Sequence, residues 1–249
     1  MIKISVITAV YNGQETVSQT LNSVLSQSYK LVESIVIDGA STDGTLAVIE
    51  AYRHRLSVFI SEGDSGIYDA LNKGIKHATG NVVGFLHADD VFENNEVLAK
   101  VAAAFQDPLV EAVYGDLVYV RQADINQVIR YWKSGLYDDV ALSRGWMPPH
   151  PTFYVRRSVY ERLGGFDTRY SIAADYDSVL RFLAVGKIRA DYIPEVLVRM
   201  RTGGISNRSL KNILLKSLED IEVLRRLHVG GFFTLFQKNI SKMRQFWWL

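Results

Sequence analysis

Two adjacent carboxylates, Asp89-Asp90, follow the apolar run Asn81 to Leu86. Charges at the end of such a strand are costly unless something neutralises them. A hard divalent cation does so, and it can also bind the phosphates of a nucleotide. The competing use is a helix N-cap, since a helix follows near Asn95. Asp38 ends another apolar run, Ser34 to Ile37, where it could bond the ribose or base of a nucleotide or simply feed the turn at Gly39. Thr8, Tyr11 and Asn12 close the first strand, and Tyr11 could stack on a base. Asp64 opens a loop into a helix that carries Lys73. That lysine could reach a phosphate, although a lone helical lysine is more often a solvated charge. Asp175 and Asp177 precede the apolar stripe Val179-Leu180-Phe182-Leu183. Asp175 could serve as a general base, or both could complement a helix dipole. His150 lies between prolines in the stiff loop Met147-Pro148-Pro149-His150-Pro151, which suits a metal or phosphate contact.

These residues need elements to hold them. The first half alternates strand and helix: Ile4 to Val10, a helical face of Val17, Leu21, Val24 and Leu25, Ser34 to Ile37, a helix through Leu46 to Tyr52, Val58 to Ile60, Ile67 to His77, and Asn81 to Leu86. A helix over Glu96 to Phe105 and a strand over Ala112 to Val120 follow. That alternation predicts an α/β fold with a doubly wound, mostly parallel sheet flanked by helices. Ligands of such sheets sit beyond the carboxyl ends of the strands, where these polar clusters lie. The second half is less regular, with helices over Ser158 to Leu163, Ala173 to Val185 and Ser209 to Leu227. The division expected is a catalytic domain over 1–206, with a nucleotide-binding half of about 1–120 and an acceptor half of about 121–206, and a C-terminal helical appendage over 207–249.

The chain has 249 residues, a net charge of +1 and no cysteine. A disulfide framework, a thiolate zinc site and a cysteine nucleophile are excluded. The balanced charge gives no global pull toward nucleic acid. No apolar run reaches the ~20 residues that cross a bilayer. The opening strand leaves no signal peptide, so a cytoplasmic protein is expected. The charge is uneven, however. From Arg201 onward nine basic residues face three acids.

Taken in order, the motifs resemble one family. Ala9-Val10-Tyr11-Asn12, Asp38-Gly39-Ala40-Ser41-Thr42-Asp43-Gly44-Thr45, Asp64-Ser65-Gly66-Ile67-Tyr68-Asp69-Ala70-Leu71-Asn72-Lys73-Gly74, His87-Ala88-Asp89-Asp90, Gly164-Gly165-Phe166-Asp167 and Ala174-Asp175-Tyr176-Asp177 look like the motif series of the family 2 inverting glycosyltransferases, which have the GT-A fold. The variant with Gly-Ile-Tyr-Asp-Ala-Leu-Asn-Lys-Gly resembles bacterial enzymes that build surface polysaccharides. The resemblance implies an inverting transfer of one sugar from a nucleotide-diphosphate donor, most often a UDP-sugar, to a lipid-linked saccharide. It implies that Thr8, Tyr11, Asp38 and Asp64 bind the nucleoside and that Lys73 lies near the donor. Asp89 would contact ribose or sugar, Asp90 would hold Mn2+ or Mg2+, and Asp175 would be the base. His150 matches a position near the diphosphate, and Arg201 with Gly203-Gly204-Ile205-Ser206 resembles a loop that closes over the donor.

Two departures stand out. Ala174 occupies a position where the family often has Glu. Gln127-Val128-Ile129-Arg130-Tyr131-Trp132 resembles a signature of processive synthases, but with an extra tyrosine and ahead of Asp175, so single addition is expected. A sugar-phosphate nucleotidyltransferase would need a Gly-rich loop after the first strand, where this chain has Tyr11-Asn12-Gly13-Gln14, and a dinucleotide oxidoreductase would need Gly-x-Gly-x-x-Gly there. A catalytically inactive scaffold of the same fold is the third alternative.

The tail has its own pattern. Leu210, Ile213, Leu214, Leu218, Ile221, Leu224 and Leu227 form a helical stripe. Phe232, Phe233, Phe236, Phe246, Trp247 and Trp248 follow, mixed with Lys238, Lys242 and Arg244. Aromatic and basic residues together suit an anionic membrane surface, here the inner face of the plasma membrane. Packing on the catalytic domain and a homodimer contact are the alternatives.

Overall fold

All seven residues of β1 (Ile4–Val10) are buried. The strand reads as a continuous apolar run because both its faces are covered. A computed structural model of the protein describes residues 1–203 and 210–244. After β1 come α1 (Val17–Leu25), β2 (Val32–Asp38), α2 (Thr45–Glu50), β3 (Val58–Ser61), α3 (Ile67–His77) and β4 (Val82–Phe85). Then follow β5 (Val91–Phe92), α4 (Val97–Ala104), and a hairpin of β6 (Ala112–Arg121) and β7 (Asp124–Trp132). The remainder is α5 (Asp139–Ser143), β8 (Tyr154–Arg156), α6 (Arg157–Leu163), α7 (Ala174–Leu180), β9 (Ala190–Arg201), α8 (Leu210–Arg226) and α9 (Phe232–Arg244).

The sheet order is β3-β2-β1-β4-β8-β6-β9-β5, with β7 paired to β6. β1 is parallel to both β2 and β4. The winding therefore reverses at β1, and a crevice opens beyond the carboxyl ends of β1 and β4. The α/β layering is as expected, but the parallel order is confined. β8 joins β4 and β6 antiparallel, and β5 joins β9 antiparallel. Among the described residues of the second half, only β6 and β9 restore a parallel pair.

β9 is the element that periodicity does not announce. It contains Pro194, and its register with β6 shifts between Gly115 and Asp116. Proline is tolerated in a strand at such an irregularity because no ladder N–H is needed there. The predicted helix over Ala173 to Val185 begins as α7, but its last turn, Arg181–Val185, opens into a π-helix. The Arg181 guanidinium there donates to the carbonyls of Gly164 and Gly165.

The main core joins Ile7, Phe85, Tyr160, Phe166 and Phe182 to Val223 and Leu224 of α8 and Leu235 of α9. A second cluster covers the other face with Val6, Leu86, Leu98, Phe105 and Leu197. The leucine stripe predicted for the tail splits. Leu224 is buried and Ile221 and Leu227 pack on the core, while Ile213, Leu214 and Leu218 face outward. On α9 the pattern is inverted: Phe232, Phe233, Phe236 and Ile240 are exposed, and Thr234 and Lys238 are buried. Lys238 does not join the basic surface expected of it. It forms an ion pair with Asp220 at 2.9 Å, inside the protein. Phe246, Trp247 and Trp248 lie outside the described residues, as do Gly204-Ile205-Ser206. Among the described residues no helix is long and apolar enough to cross a membrane.

Candidate active site

The crevice begins with two loops stitched together. Asn12, with φ of 51°, leaves β1 and accepts a bond from the Thr42 amide at 2.9 Å. Its own amide donates to Ser41 Oγ at 2.8 Å, and the Gly13 amide donates to Thr45 Oγ1 at 2.8 Å. Ala40 sits at φ of 59°, where a side chain is disfavoured, so the β2 loop is held in a strained shape by these bonds. Asp38 supplies the anchor. It is fully buried, and its carboxylate accepts from the Ser41 amide at 3.1 Å, Ser41 Oγ at 2.5 Å and Ser61 Oγ at 2.7 Å. Thr8 is buried on β1 beneath the same loop, whereas Tyr11 is 65% exposed.

Gly39 makes room for the next carboxylate. A Cβ on Gly39 would lie 2.5 Å from Asp64 Oδ2 and 3.5 Å from the Tyr11 ring. Tyr11, Gly39 and Asp64 thus lie side by side, with the missing Cβ of Gly39 leaving space between the two side chains. Asp64 Oδ1 accepts from the Gly66 amide at 2.9 Å, which fixes the turn into α3. Lys73, the seventh residue of that helix, is engaged locally: it donates to the Gly63 carbonyl at 2.8 Å and pairs with Glu62 at 2.9 Å.

The end of β4 is built differently. Asp90 is fully buried. Its Oδ1 accepts from the Arg201 amide at 3.2 Å, but its Oδ2 has no partner among the described residues. Burial, reinforced by the charge of Asp89, pushes the Asp90 carboxyl well above the usual carboxylate range, and the Arg201 contact only partly opposes this. Nearby, His87 Nδ1 and His150 Nε2 are also buried and without a partner among the described residues. The two imidazoles stack with centroids 5.7 Å apart, and His150 stacks on Phe85 at 5.1 Å. Burial holds the His87 imidazole below its ordinary value, against the raising charges of Asp89 and Asp175. Burial likewise takes His150 down to about 4, with Asp175 opposing and His87 adding to the fall. Burial thus disfavours the charged form of both rings.

Asp175 stands on the far side of these rings, second residue of α7. Its Oδ1 accepts from the Tyr176 amide at 2.7 Å and from Tyr68 Oη at 3.4 Å. Tyr68 packs on Phe166 at 5.5 Å, and Phe166 packs on His150 at 5.5 Å, so one aromatic chain connects the base candidate to the histidines. Asp177, in contrast, is buried under Arg181 and Arg226 and belongs to the scaffold.

Arg201 ends β9 rather than hanging on an open loop. It is 4% exposed, and its guanidinium donates to the Asp89 carbonyl, Gln19 Oε1 and the Gln122 carbonyl. It buckles the Asp89-Asp90 turn from behind. Sequence reasoning gave no role to His87, Tyr68 or Gln19. For His87 a signal existed, its place two residues before Asp89; for Tyr68 and Gln19 the contacts span 104 to 182 residues of sequence.

No group of three His, Asp or Glu side chains among the described residues could enclose a metal. The donor set still fits a cation of one kind. A buried carboxylate oxygen without a partner suits Mg2+ or Mn2+ that takes its other ligands from phosphates and water. Asp90 would hold it, with Asp89 adjacent.

The sequence model of glycosyl transferase family 2 matches residues 5–172. The chain belongs to that family. It is 32% identical over 245 residues to an uncharacterized glycosyltransferase of Mycobacterium tuberculosis, covering 92% of this chain and 86% of the relative. It is 29% identical over 219 residues to a PGL/p-HBAD biosynthesis glycosyltransferase of Mycobacterium bovis, covering 86% and 83%. Among solved structures, the mannosyltransferase PcManGT of Pyrobaculum calidifontis, in complex with GDP-Man and Mn2+, superposes with a TM-score of 0.68 at 22% identity, covering 98% of this chain and 74% of the other. Residues 1–349 of Staphylococcus aureus TarS, in complex with UDP-GlcNAc, give a TM-score of 0.65 at 19% identity, covering 92% and 66%. The fold of this family 2 protein is GT-A.

Proposed function

We propose that this protein transfers a single sugar, with inversion, from a UDP-sugar to a hydroxyl of a lipid-linked saccharide in surface glycan synthesis. The observation that carries the reading is the set of buried polar atoms, unpartnered among the described residues, at one end of β4, Asp90 Oδ2, His87 Nδ1 and His150 Nε2, facing Asp175. Leaving such atoms unmade is costly, so a polar ligand is expected to meet them. The nucleoside lies in the space beside Tyr11, Gly39 and Asp64, its base against the Tyr11 ring, while Asp38 and Thr8 support that floor from beneath. The diphosphate reaches toward His150 and Asp90, with Lys73 at the flank. A divalent cation held by Asp90 would supply charge that stabilises the departing diphosphate. Asp175 accepts the proton of the acceptor hydroxyl as its oxygen bonds to the anomeric carbon. The bond from that carbon to the diphosphate breaks on the opposite side, and its electron pair leaves with UDP. One displacement inverts the centre, so an α-linked donor gives a β-product.

The acceptor class rests on the PGL/p-HBAD biosynthesis relative and on the outward apolar face of α9, which suits contact with a membrane surface. The test is thermal unfolding with UDP, UDP-glucose, UDP-galactose, UDP-N-acetylglucosamine and GDP-mannose, each with and without Mn2+. A ligand that binds only the native state raises the melting temperature. UDP-sugars should do so in a Mn2+-dependent manner. Stabilisation by none of the nucleotides would overturn the donor reading.

A further inference from the structure

The loop that delivers Asp175 is held by a residue far outside the motif series. Glu219 lies on α8 and is buried. Its Oε1 accepts from the Ser171 amide at 2.9 Å, and its Oε2 accepts from the Ile172 and Ala173 amides, each at 2.9 Å. These three consecutive N–H groups lead directly into α7, whose N-cap Ala173 has no side chain able to cap it. The first amides of a helix have no partner within it and carry its positive dipole end. Of the three amides bound here only that of Ala173 belongs to the helix end, so Glu219 ties the N-cap residue to the two residues before it and fixes the approach to α7. Burying Glu219 is offset by three charge-assisted bonds in good geometry.

The same peptide is held from the other side. Tyr68 Oη donates to the Ile172 carbonyl at 2.6 Å and reaches Asp175 Oδ1 at 3.4 Å. The Ile172 unit is therefore clamped between Glu219 of α8 and Tyr68 of α3, and Asp175 follows three residues later. A second acid of α8 points the same way. Asp220 pairs with Lys238, whose Nζ sits 3.1 Å from the centroid of Tyr176, the residue after Asp175.

We infer that Glu219 is a positioning residue for the reaction: it fixes the Ser171-Ile172-Ala173 loop so that the Asp175 carboxylate faces the acceptor hydroxyl. The inference rests on the reading of Asp175 as the base. Glu219→Gln keeps the size but turns one acceptor oxygen into a donor group, which cannot accept from the amides. A displacement of the base by a fraction of an ångström lowers turnover by about 10-fold or more, since misplacement of ~1 Å costs on the order of 100-fold.

The test is a double-mutant cycle over Glu219→Gln and Asp175→Asn. Turnover is read as nucleoside diphosphate released from a mixture of UDP-glucose, UDP-galactose, UDP-N-acetylglucosamine and GDP-mannose with Mn2+, and binding as the dissociation constant of UDP with Mn2+. Glu219→Gln should lower kcat while UDP binds within about twofold of wild type, and it should have no further effect in the Asp175→Asn background, because residues acting through one another are not additive. Glu219→Asp, which keeps the charge, should recover part of the rate, and it carries the test should the amide variant not fold. An equal loss from Glu219→Gln in both backgrounds, or no loss in either, would overturn the inference and leave the base reading intact. Full turnover of Asp175→Asn alone would instead remove the base reading, and this inference with it.

Discussion

The carboxyl ends of β2 and β4 both carry a completely buried aspartate, and the two are treated in opposite ways. Asp38 accepts from three donors of its own neighbourhood, and the bonds shape the loop that leaves β2. Asp90 has one oxygen on a backbone amide and the other on nothing among the described residues, beside two histidines whose buried nitrogens are likewise unmatched there. A satisfied carboxylate is part of the scaffold. An unsatisfied one is the exception that calls for an explanation, and the function proposed above assigns it a cation. The same residue type, as the last residue of β2 and in the turn after β4, therefore meets different surroundings, and its partners and neighbours separate the two.

The largest effect should come from setting the two against each other. Asp90→Ala should abolish Mn2+-dependent stabilisation by UDP and reduce transfer to background, with little loss of melting temperature, because it removes a buried carboxylate that is poorly compensated. Asp38→Ala should do the reverse in stability, costing about 1–3 kcal/mol by stranding the Ser41 and Ser61 donors. Thermal unfolding of both variants, with and without UDP and Mn2+, reads the contrast. If Asp90→Ala is the one that melts early while retaining its response to Mn2+, the two strand ends have been assigned the wrong way round.

Asp175→Asn is expected to come next, lowering turnover by roughly 10²–10⁴-fold with UDP affinity unchanged. The amide preserves shape and removes basicity. A lost UDP affinity in a calorimetric titration would move Asp175 from the chemistry to the donor site.

How much of this was legible in the sequence follows from the range of the contacts. β1 to β4 could be read because each strand is a short apolar run closed by turn residues, and α3 begins and ends as predicted, at Ile67 and His77. The carboxylates at the strand ends could be located by the same signal. What could not be read was which of them is satisfied: that depends on Ser61 for Asp38 and on Arg201 for Asp90, residues 23 and 111 positions away. β9 was hidden by Pro194 and by charged residues on a strand whose register shifts. The tail was misread at Lys238 because a basic residue among phenylalanines carries the same letters whether it points to solvent or to a buried Asp220.

The smallest effect concerns that tail. Phe232, Phe233 and Phe236 are 72%, 70% and 54% exposed, so replacing all three with Ser should leave melting and UDP binding unchanged. Co-sedimentation with anionic phosphatidylglycerol vesicles should fall, and that of the wild type should weaken at high salt, since each cation near such a surface adds ~1 kcal/mol. Equal pelleting of the two proteins would leave this face as a packing or oligomer contact. Point substitutions are the better probe than truncation, because removing α9 would also uncover the core around Leu235.

The buckle between Arg201 and the Asp89-Asp90 turn sets a schedule for synthesis. A growing chain can complete β1 to β4 soon after they leave the ribosome, since their partners are near in sequence. The Asp90 turn, however, has no Arg201 until 111 further residues have been added. The amides ahead of Asp175 receive no Glu219 until 46 residues after Ala173. During translation the pairings of β1 to β4 can therefore form before the Asp90 turn and the loop ahead of Asp175 receive the long-range partners that hold them.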